Sequence, residues 1–312
     1  MEQRGYNKDI STALIAVSGF IGILIPPSIP MVVYAVIAEI SISVAFLSTV
    51  IPGLLLAVAY ALVIKLYYVR RGFFDSAQRN ESYPSIEVAL QTIARRTCLA
   101  FPALFMPIII LGGIYGGIFT PTESAAVATV YSVLVGMFLY KGLTLKNIGP
   151  TFAWSAVSCA AIMICMAFVM IFGRALMVDA IPDKIANFIL SITQSKFTIL
   201  LLINIFLLIV GMFMEANVAI LILTPIILPI IKGIGVSPVH FGAIFVMNLG
   251  IGLITPPYAA NLFVANKVTG VPLARMIPHV LRFMFLAAIP VLILTTYVPA
   301  LSMALPKLLL GY

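Results

Sequence analysis

The chain has 312 residues, 62% of them hydrophobic and 9% charged, against roughly 45–50% and 25% in ordinary globular proteins. With a mean hydropathy of +1.18, it carries too few charges to cover a water-soluble body of this size. Composition therefore excludes a soluble enzyme and indicates a polytopic membrane protein. The net charge of +8, from 18 Lys and Arg against 10 Asp and Glu, does not point to nucleic acid, because cytoplasmic loops of membrane proteins gather basic residues.

A bilayer core takes about 20 apolar residues per helix. Such runs cover residues 11–38, 45–68, 101–118, 124–140, 152–172, 197–213, 241–264 and 280–304. The opening residues hold Glu2, Arg4, Lys8 and Asp9 and run into the first span with no small-residue cleavage site, unlike a signal peptide. Residues 65–96 form the long polar interval, with Lys65, Arg70, Arg71, Arg79, Arg95 and Arg96 against Asp75, Glu81 and Glu87. The positive-inside rule places this interval in the cytoplasm. Within it, residues 85–97 carry Ile86, Leu90 and Ile93 on one side and read as an amphipathic helix at the membrane surface. Residues 174–196 then fall outside as a second amphipathic piece. A further apolar stretch, 218–231, is short and holds Pro225 and Pro229, which marks a candidate re-entrant segment. Cys98, Cys159 and Cys165 form no CxxC pair and no cluster with His240 or His279, and small buried hydrophobes are the expected reading.

The chain contains an internal repeat. Ile21-Gly-Ile-Leu-Ile-Pro-Pro27 matches Ile251-Gly-Leu-Ile-Thr-Pro-Pro257 at an offset of 230 that also pairs Ser18 with Asn248. Proline removes a backbone donor and holds its predecessor extended, so each copy predicts a helix unwound inside an apolar run. Broken segments at corresponding positions in two halves point to a transporter binding site. Substrate and cations are expected between the breaks, at Pro26, Pro27 and Ser28 and at Pro256 and Pro257, with Asn248 and Asn261 flanking the second as ion or substrate contacts or as packing hydrogen bonds. The offset also predicts that the first half lacks almost everything upstream of its broken helix, so that the chain reads as N-terminally truncated.

Ionisable groups at membrane depth need a reason. Glu215, in Gly211-Met-Phe-Met-Glu-Ala-Asn217, falls at the tip of a hairpin expected over residues 211–232. A carboxylate, an amide and free carbonyls there suit a hard cation. Thr120-Pro-Thr-Glu123 has the arrangement of a capping box. Before it, Gly112, Gly113, Gly116 and Gly117 form small-xxx-small patterns that suit close helix packing, and Glu39 falls at a solvated helix end. No phosphate loop, His-Glu-x-x-His or Gly-x-Ser-x-Gly occurs, so transport by this chain is expected to use an ion gradient rather than ATP.

Four runs together, Gly22–Met31, Gly112–Glu123, Gly211–Glu215 with Leu223–Pro229, and Asn248–Pro257, resemble the large permease subunit of TRAP (tripartite ATP-independent periplasmic) transporters over essentially the whole chain. The resemblance implies a sodium-coupled importer of small organic anions, such as dicarboxylates or sialic acids, in the bacterial inner membrane. It further implies a small membrane subunit and a periplasmic substrate-binding protein as partners, no cofactor beyond coupling sodium ions, and elevator-type alternating access. Carried over, one sodium site uses Gly211, Glu215 and Asn217 with carbonyls around Gly252 and Thr255. The other uses Ser18 with the carbonyls of Gly22 and Ile25, opposite a hairpin that in the family directly precedes the segment matching Glu2–Tyr6. The expected fold is an all-α polytopic membrane protein with an inverted-repeat, ion-transporter-type architecture and an incomplete first repeat. Residues 1–69 are its remainder, 70–100 the cytoplasmic loop and interfacial helix, and 101–312 the second repeat with broken helix 241–265. Two other readings are an intramembrane enzyme acting on lipid-linked substrates and an assembly subunit without a site of its own.

Overall fold

Prolines, glycines and caps decide where these apolar runs stay helical. The computed structural model describes residues 1–2, 6–69, 86–181, 184–185, 193 and 195–312. Helix α1 (Lys8–Ser18) starts at Asn7, whose side chain accepts from the Asp9 and Ile10 amides at 2.9 and 3.2 Å and so satisfies two otherwise orphaned donors. One turn, α2 (Ile21–Leu24), follows. The backbone is extended at Ile25 and Ser28, and α3 (Ile29–Ile37) resumes with Pro30 in its first turn, where a missing amide costs nothing. Glu39 lies just past α3, exposed and at φ 54°. Helix α4 (Ile42–Val63) runs through Pro52 and continues as π-helical turns over Ile64–Val69.

The chain forms two compact units, residues 1–80 with 165–312, and residues 81–164. In the smaller unit, α5 (Ile86–Tyr115) is one helix of 30 residues despite Pro102 and Pro107. The surface helix expected at 85–97 is therefore not a separate element. The backbone carries it straight into the following span, about 45 Å in all. Helix α6 (Pro121–Leu134) opens with the predicted capping box, in which Glu123 accepts from the Thr120 amide at 2.8 Å while Thr120 Oγ1 accepts from the Glu123 amide at 3.3 Å. The glycines before it serve this reversal. A Cβ on Gly113 would lie 2.7 Å from the Phe119 ring, and Gly117 sits at φ 67°, which L-residues avoid. Gly113 also lets α5 pack closely on α6, since that Cβ would lie 3.0 Å from Ser124 Oγ, as the small-xxx-small pattern suggests. Helix α7 (Leu145–Val178) begins in this unit and ends in the larger one.

In the larger unit, α8 (Lys196–Gly211) and α9 (Ala216–Gly233) make a helical hairpin with its tip at 212–215. The hairpin expected at 211–232 is thus only its second arm, which stays continuous through Pro225 and Pro229. The run read as a separate crossing at 197–213 is its first arm. Arms of 16 and 18 residues are about 24 and 27 Å long, close to the ~30 Å apolar thickness of a bilayer. Helix α10 (Pro238–Gly252) breaks before α11 (Ala260–Thr269). Then α12 (Leu273–Phe283), a π-helical stretch Met284–Ala288 and α13 (Ile289–Tyr297) run on as one rod, and α14 (Ala300–Leu310) closes the chain after Pro299. Among the described residues, six helices are long and apolar enough to cross a membrane, and four shorter apolar helices accompany them. Together they make an all-α polytopic membrane protein.

One sequence expectation about cysteine is overturned. Cys159 and Cys165 are exposed on α7, among Trp154, Val157, Met163 and Phe168, each at least two-thirds open. A helix apolar all round suits a membrane span, and this part of α7 is left open by the rest of the chain. The side chain of Cys98, the 70–85 loop and residues 182–183, 186–192 and 194 of the piece expected at 174–196 lie outside the described residues, and the start of that piece, 174–178, is the end of α7.

Candidate functional site

The two broken helices cross antiparallel. Tyr34 of α3 donates its hydroxyl to the Pro238 carbonyl at 2.7 Å, at the start of α10, and its ring meets Phe241 and Phe245 edge-on at 6.4 and 6.0 Å. Further along, the Phe20 ring fills the place a side chain on Gly250 would need. Asn261 Nδ2, in the first turn of α11, donates to the Ala16 carbonyl at 3.3 Å. Rising residue numbers in one helix thus meet falling numbers in the other. Phe20 and Gly250 are also equivalent under the 230-residue offset, so a helix contacts its own repeat mate at that point. A two-fold relation with inverted halves produces that pairing.

Each break has its own neighbour. Ile25 and Leu24 abut Gly53 of α4, where a Cβ would lie 3.0 and 3.3 Å from them. Pro26 and Pro27 cannot donate to the carbonyls of Gly22 and Ile23. Ser28 is 3% exposed, and its Oγ has no protein partner. Ser18 ends α1 beside Gly19, which packs against Asn261. The second break, around Pro256 and Pro257, replaces the donors its prolines remove. The Thr255 amide donates to Gly252 O at 3.0 Å and the Asn261 amide to Leu253 O at 3.1 Å, and the Ala259 amide donates to Thr255 O at 3.2 Å. These turns each supply one donor to the Gly252, Leu253 and Thr255 carbonyls. Thr255 Oγ1 donates to Ile251 O at 2.7 Å and lies 3.4 Å from Met284 Sδ. Ala259 sits in the left-handed region at φ 37°, a conformation costly for an L-residue. Both Pro-Pro bonds are cis.

The hairpin tip is seated on this second break. Gly252 lies so close to Gly211 that any Cβ on it would enter the Gly211 backbone, and the Tyr258 amide donates to Met212 O at 3.0 Å. Glu215 is the N-cap of α9, its carboxylate accepting from the Val218 amide at 3.1 Å and from Asn217 Nδ2 at 2.8 Å. That leaves Asn217 Oδ1 buried without a protein partner. The structure thus seats Gly211 on Gly252 and Met212 on Tyr258; Glu215 and Asn217 meet each other at the tip, while the Thr255 hydroxyl is taken up by Ile251 O and Met284 Sδ. Gly19, next to Ser18, packs on Asn261, and Leu24 and Ile25 lie against α4.

A buried polar chain behind this site gives Asn248 the packing hydrogen bonds that are one of its two sequence readings, through partners that sequence reasoning does not single out. Asn248 Nδ2 donates to Asn204 Oδ1 at 2.7 Å and to Ile244 O at 2.8 Å. Asn204 in turn donates to Thr296 Oγ1 at 3.1 Å and Leu200 O at 2.9 Å. His240 hydrogen-bonds Ser302 Oγ at 2.6 Å and Thr296 O at 3.2 Å. A lone asparagine inside Leu201-Leu-Ile-Asn-Ile-Phe-Leu207 was the available signal, since polar groups at such depth find partners.

The model of the tripartite ATP-independent periplasmic transporter DctM component matches residues 1–301. The chain belongs to that family. It is 42% identical to the isethionate TRAP transporter permease protein DctMQ of Oleidesulfovibrio alaskensis, over 97% of this chain and 46% of that one. It is 40% identical to the C4-dicarboxylate TRAP transporter large permease protein DctM of Pseudomonas aeruginosa, over 98% of this chain and 70% of that protein. With the sialic acid TRAP transporter large permease protein SiaM of Vibrio cholerae, identity is 35% over 100% of this chain and 71% of the other. The chain thus spans less than half of the first relative and about 70% of the other two. These TRAP relatives are transporter permeases, not enzymes, which sets aside the reading as a lipid-linked-substrate enzyme.

Proposed function

We propose that this chain is the large membrane subunit of a sodium-coupled secondary importer for small organic anions in the bacterial inner membrane. It works with a small membrane subunit and a periplasmic substrate-binding protein, and access alternates by elevator-type movement. The observation that carries the reading is the hairpin tip seated on the second Gly-x-x-x-Pro-Pro break through Gly211 against Gly252 and Met212 against Tyr258, with the Asn217 amide oxygen buried at that tip. Hard cations take oxygen ligands, and unwound carbonyls at a helix break are the usual means of holding sodium in transporters. Asn217 Oδ1, buried and lacking a protein donor, is a free ligand of that kind. The named substrates of the relatives, isethionate, C4-dicarboxylate and sialic acid, are all small organic acids. Pro26, Pro27, Ser28, Pro256, Pro257 and Asn261 are assigned to the substrate, and Ser18, Gly22 and Ile25 to the first cation.

The test is uptake into proteoliposomes holding this chain with both partner proteins. An inward sodium gradient should drive accumulation of the organic anion, and Thr255→Ala or Asn217→Leu should abolish the sodium dependence. Accumulation that ignores sodium, or that keeps its sodium dependence in both variants, would reject the assignment.

A further inference from the structure

At the end of the larger unit away from the hairpin tip lies a cavity of about 680 Å³. Three helices bound it, and each reaches it near its C-terminus: α3 at Ile37, α7 at Val178 and α9 at Gly233. Three charged residues line it, Glu39 past the end of α3, Arg174 one turn before the end of α7, and Lys232 in the last turn of α9. All three are exposed. The remaining lining is almost wholly apolar, including Met166, Met170 and Pro225. From Arg174 back to Met166 is eight residues, about 12 Å of helix, so the cavity runs from a charged mouth into an apolar interior. Met170 and Ile171 are exposed apolar side chains of α7 that also line the cavity, so it opens onto an exposed apolar side of that helix.

The charges sort by partner. Arg174 and Lys232 offer donors to a phosphate. Glu39 and the negative dipole ends of the converging helices favour a cation close by. A purely anionic head group would meet the cations but also this negative set. A head group carrying both charges satisfies both. We propose that the cavity holds a phospholipid with a primary-amine head group, its phosphate at Arg174 and Lys232, its ammonium at Glu39 and one acyl chain along Met170 and Pro225. A soluble organic acid leaves the apolar walls unused, and a choline head group cannot donate a hydrogen bond to Glu39.

Native mass spectrometry of the purified chain tests this with phosphatidylethanolamine, phosphatidylcholine and phosphatidylglycerol offered at equal concentration. Phosphatidylethanolamine should be retained about tenfold better than the other two, the worth of one charge-assisted hydrogen bond. Glu39→Gln should bring its retention down to that of phosphatidylcholine. Arg174→Gln with Lys232→Gln should weaken all three lipids, and Met170→Trp, which fills the cavity, should do the same while leaving the helical circular dichroism unchanged. Equal retention of the three lipids, a preference for phosphatidylglycerol, or a phosphatidylethanolamine preference that survives Glu39→Gln would overturn the proposal.

Discussion

Gly252→Ala probes the contact that seats the hairpin on the second break. The added methyl would lie 2.6 Å from Gly211 Cα and nearer still to its carbonyl group. Carbon atoms pack at about 3.5–4.0 Å, so α8 and α10 must part by roughly 1 Å. What stands in the way is main chain, which cannot rotate aside. Overpacking of this kind costs about 1–3 kcal/mol, while alanine in place of glycine returns at most about 1 kcal/mol of helix propensity. The reciprocal change makes an internal control. A methyl on Gly211 would meet Gly252 Cα and Leu249 Cα at 3.3 Å and Asn248 O at 3.5 Å, which a shift of a few tenths of an ångström relieves. Gly252→Ala should therefore lose about 2 kcal/mol, a fall of about 5 °C in Tm, and Gly211→Ala less than about 1 kcal/mol. Thermal unfolding in detergent, followed by circular dichroism, measures both. If Gly211→Ala proves as damaging as Gly252→Ala, or the latter leaves Tm untouched, the close approach is not as described.

Three further outcomes follow from the same packing. Asn204→Leu and Asn248→Leu should each cost about 1–3 kcal/mol by stranding a buried partner, and the double variant should cost less than their sum, as a double-mutant cycle in denaturant would reveal. Glu215→Ala removes the N-cap of α9 and should cost about 1 kcal/mol, whereas Glu215→Gln, which keeps an acceptor, should cost less in the same unfolding measurement. Cys159 and Cys165 should resist a charged, membrane-impermeant maleimide in membranes, because a thiol in hydrocarbon stays protonated and unreactive, and react with it once a denaturing detergent opens the helix to water. Rapid labelling in intact membranes would mean that this stretch of α7 is open to water.

What was legible in the sequence follows from covalent chemistry. A proline has no amide hydrogen wherever it sits, so the two breaks and the Thr120–Glu123 cap were readable without a fold. Pro225 and Pro229 misled because a proline inside a helix either breaks it or is absorbed, and neighbours decide which. Here Pro225 lies against Gly173 of α7, at 3.4 Å from where a Cβ would be, and α9 runs on. Pro102 and Pro107 likewise lie inside α5 without ending it, which hid its continuity. The Asn248–Asn204–Thr296 chain joins residues 44 and 92 apart, and no local pattern encodes such partners. The exposed cysteines show a different gap: apolar composition does not distinguish a side chain facing protein from one facing lipid.

The meeting of Phe20 with Gly250 bears on how such a molecule can descend from a duplicated gene. Where a residue touches its own counterpart, identical copies are the worst arrangement: two phenylalanines collide and two glycines leave a hole. Divergence at that one position is thus a condition of the halves closing on each other, and the first copy to enlarge obliges its twin to shrink. Exchanging the pair, as Phe20→Gly with Gly250→Phe, should consequently be tolerated better than either change by itself.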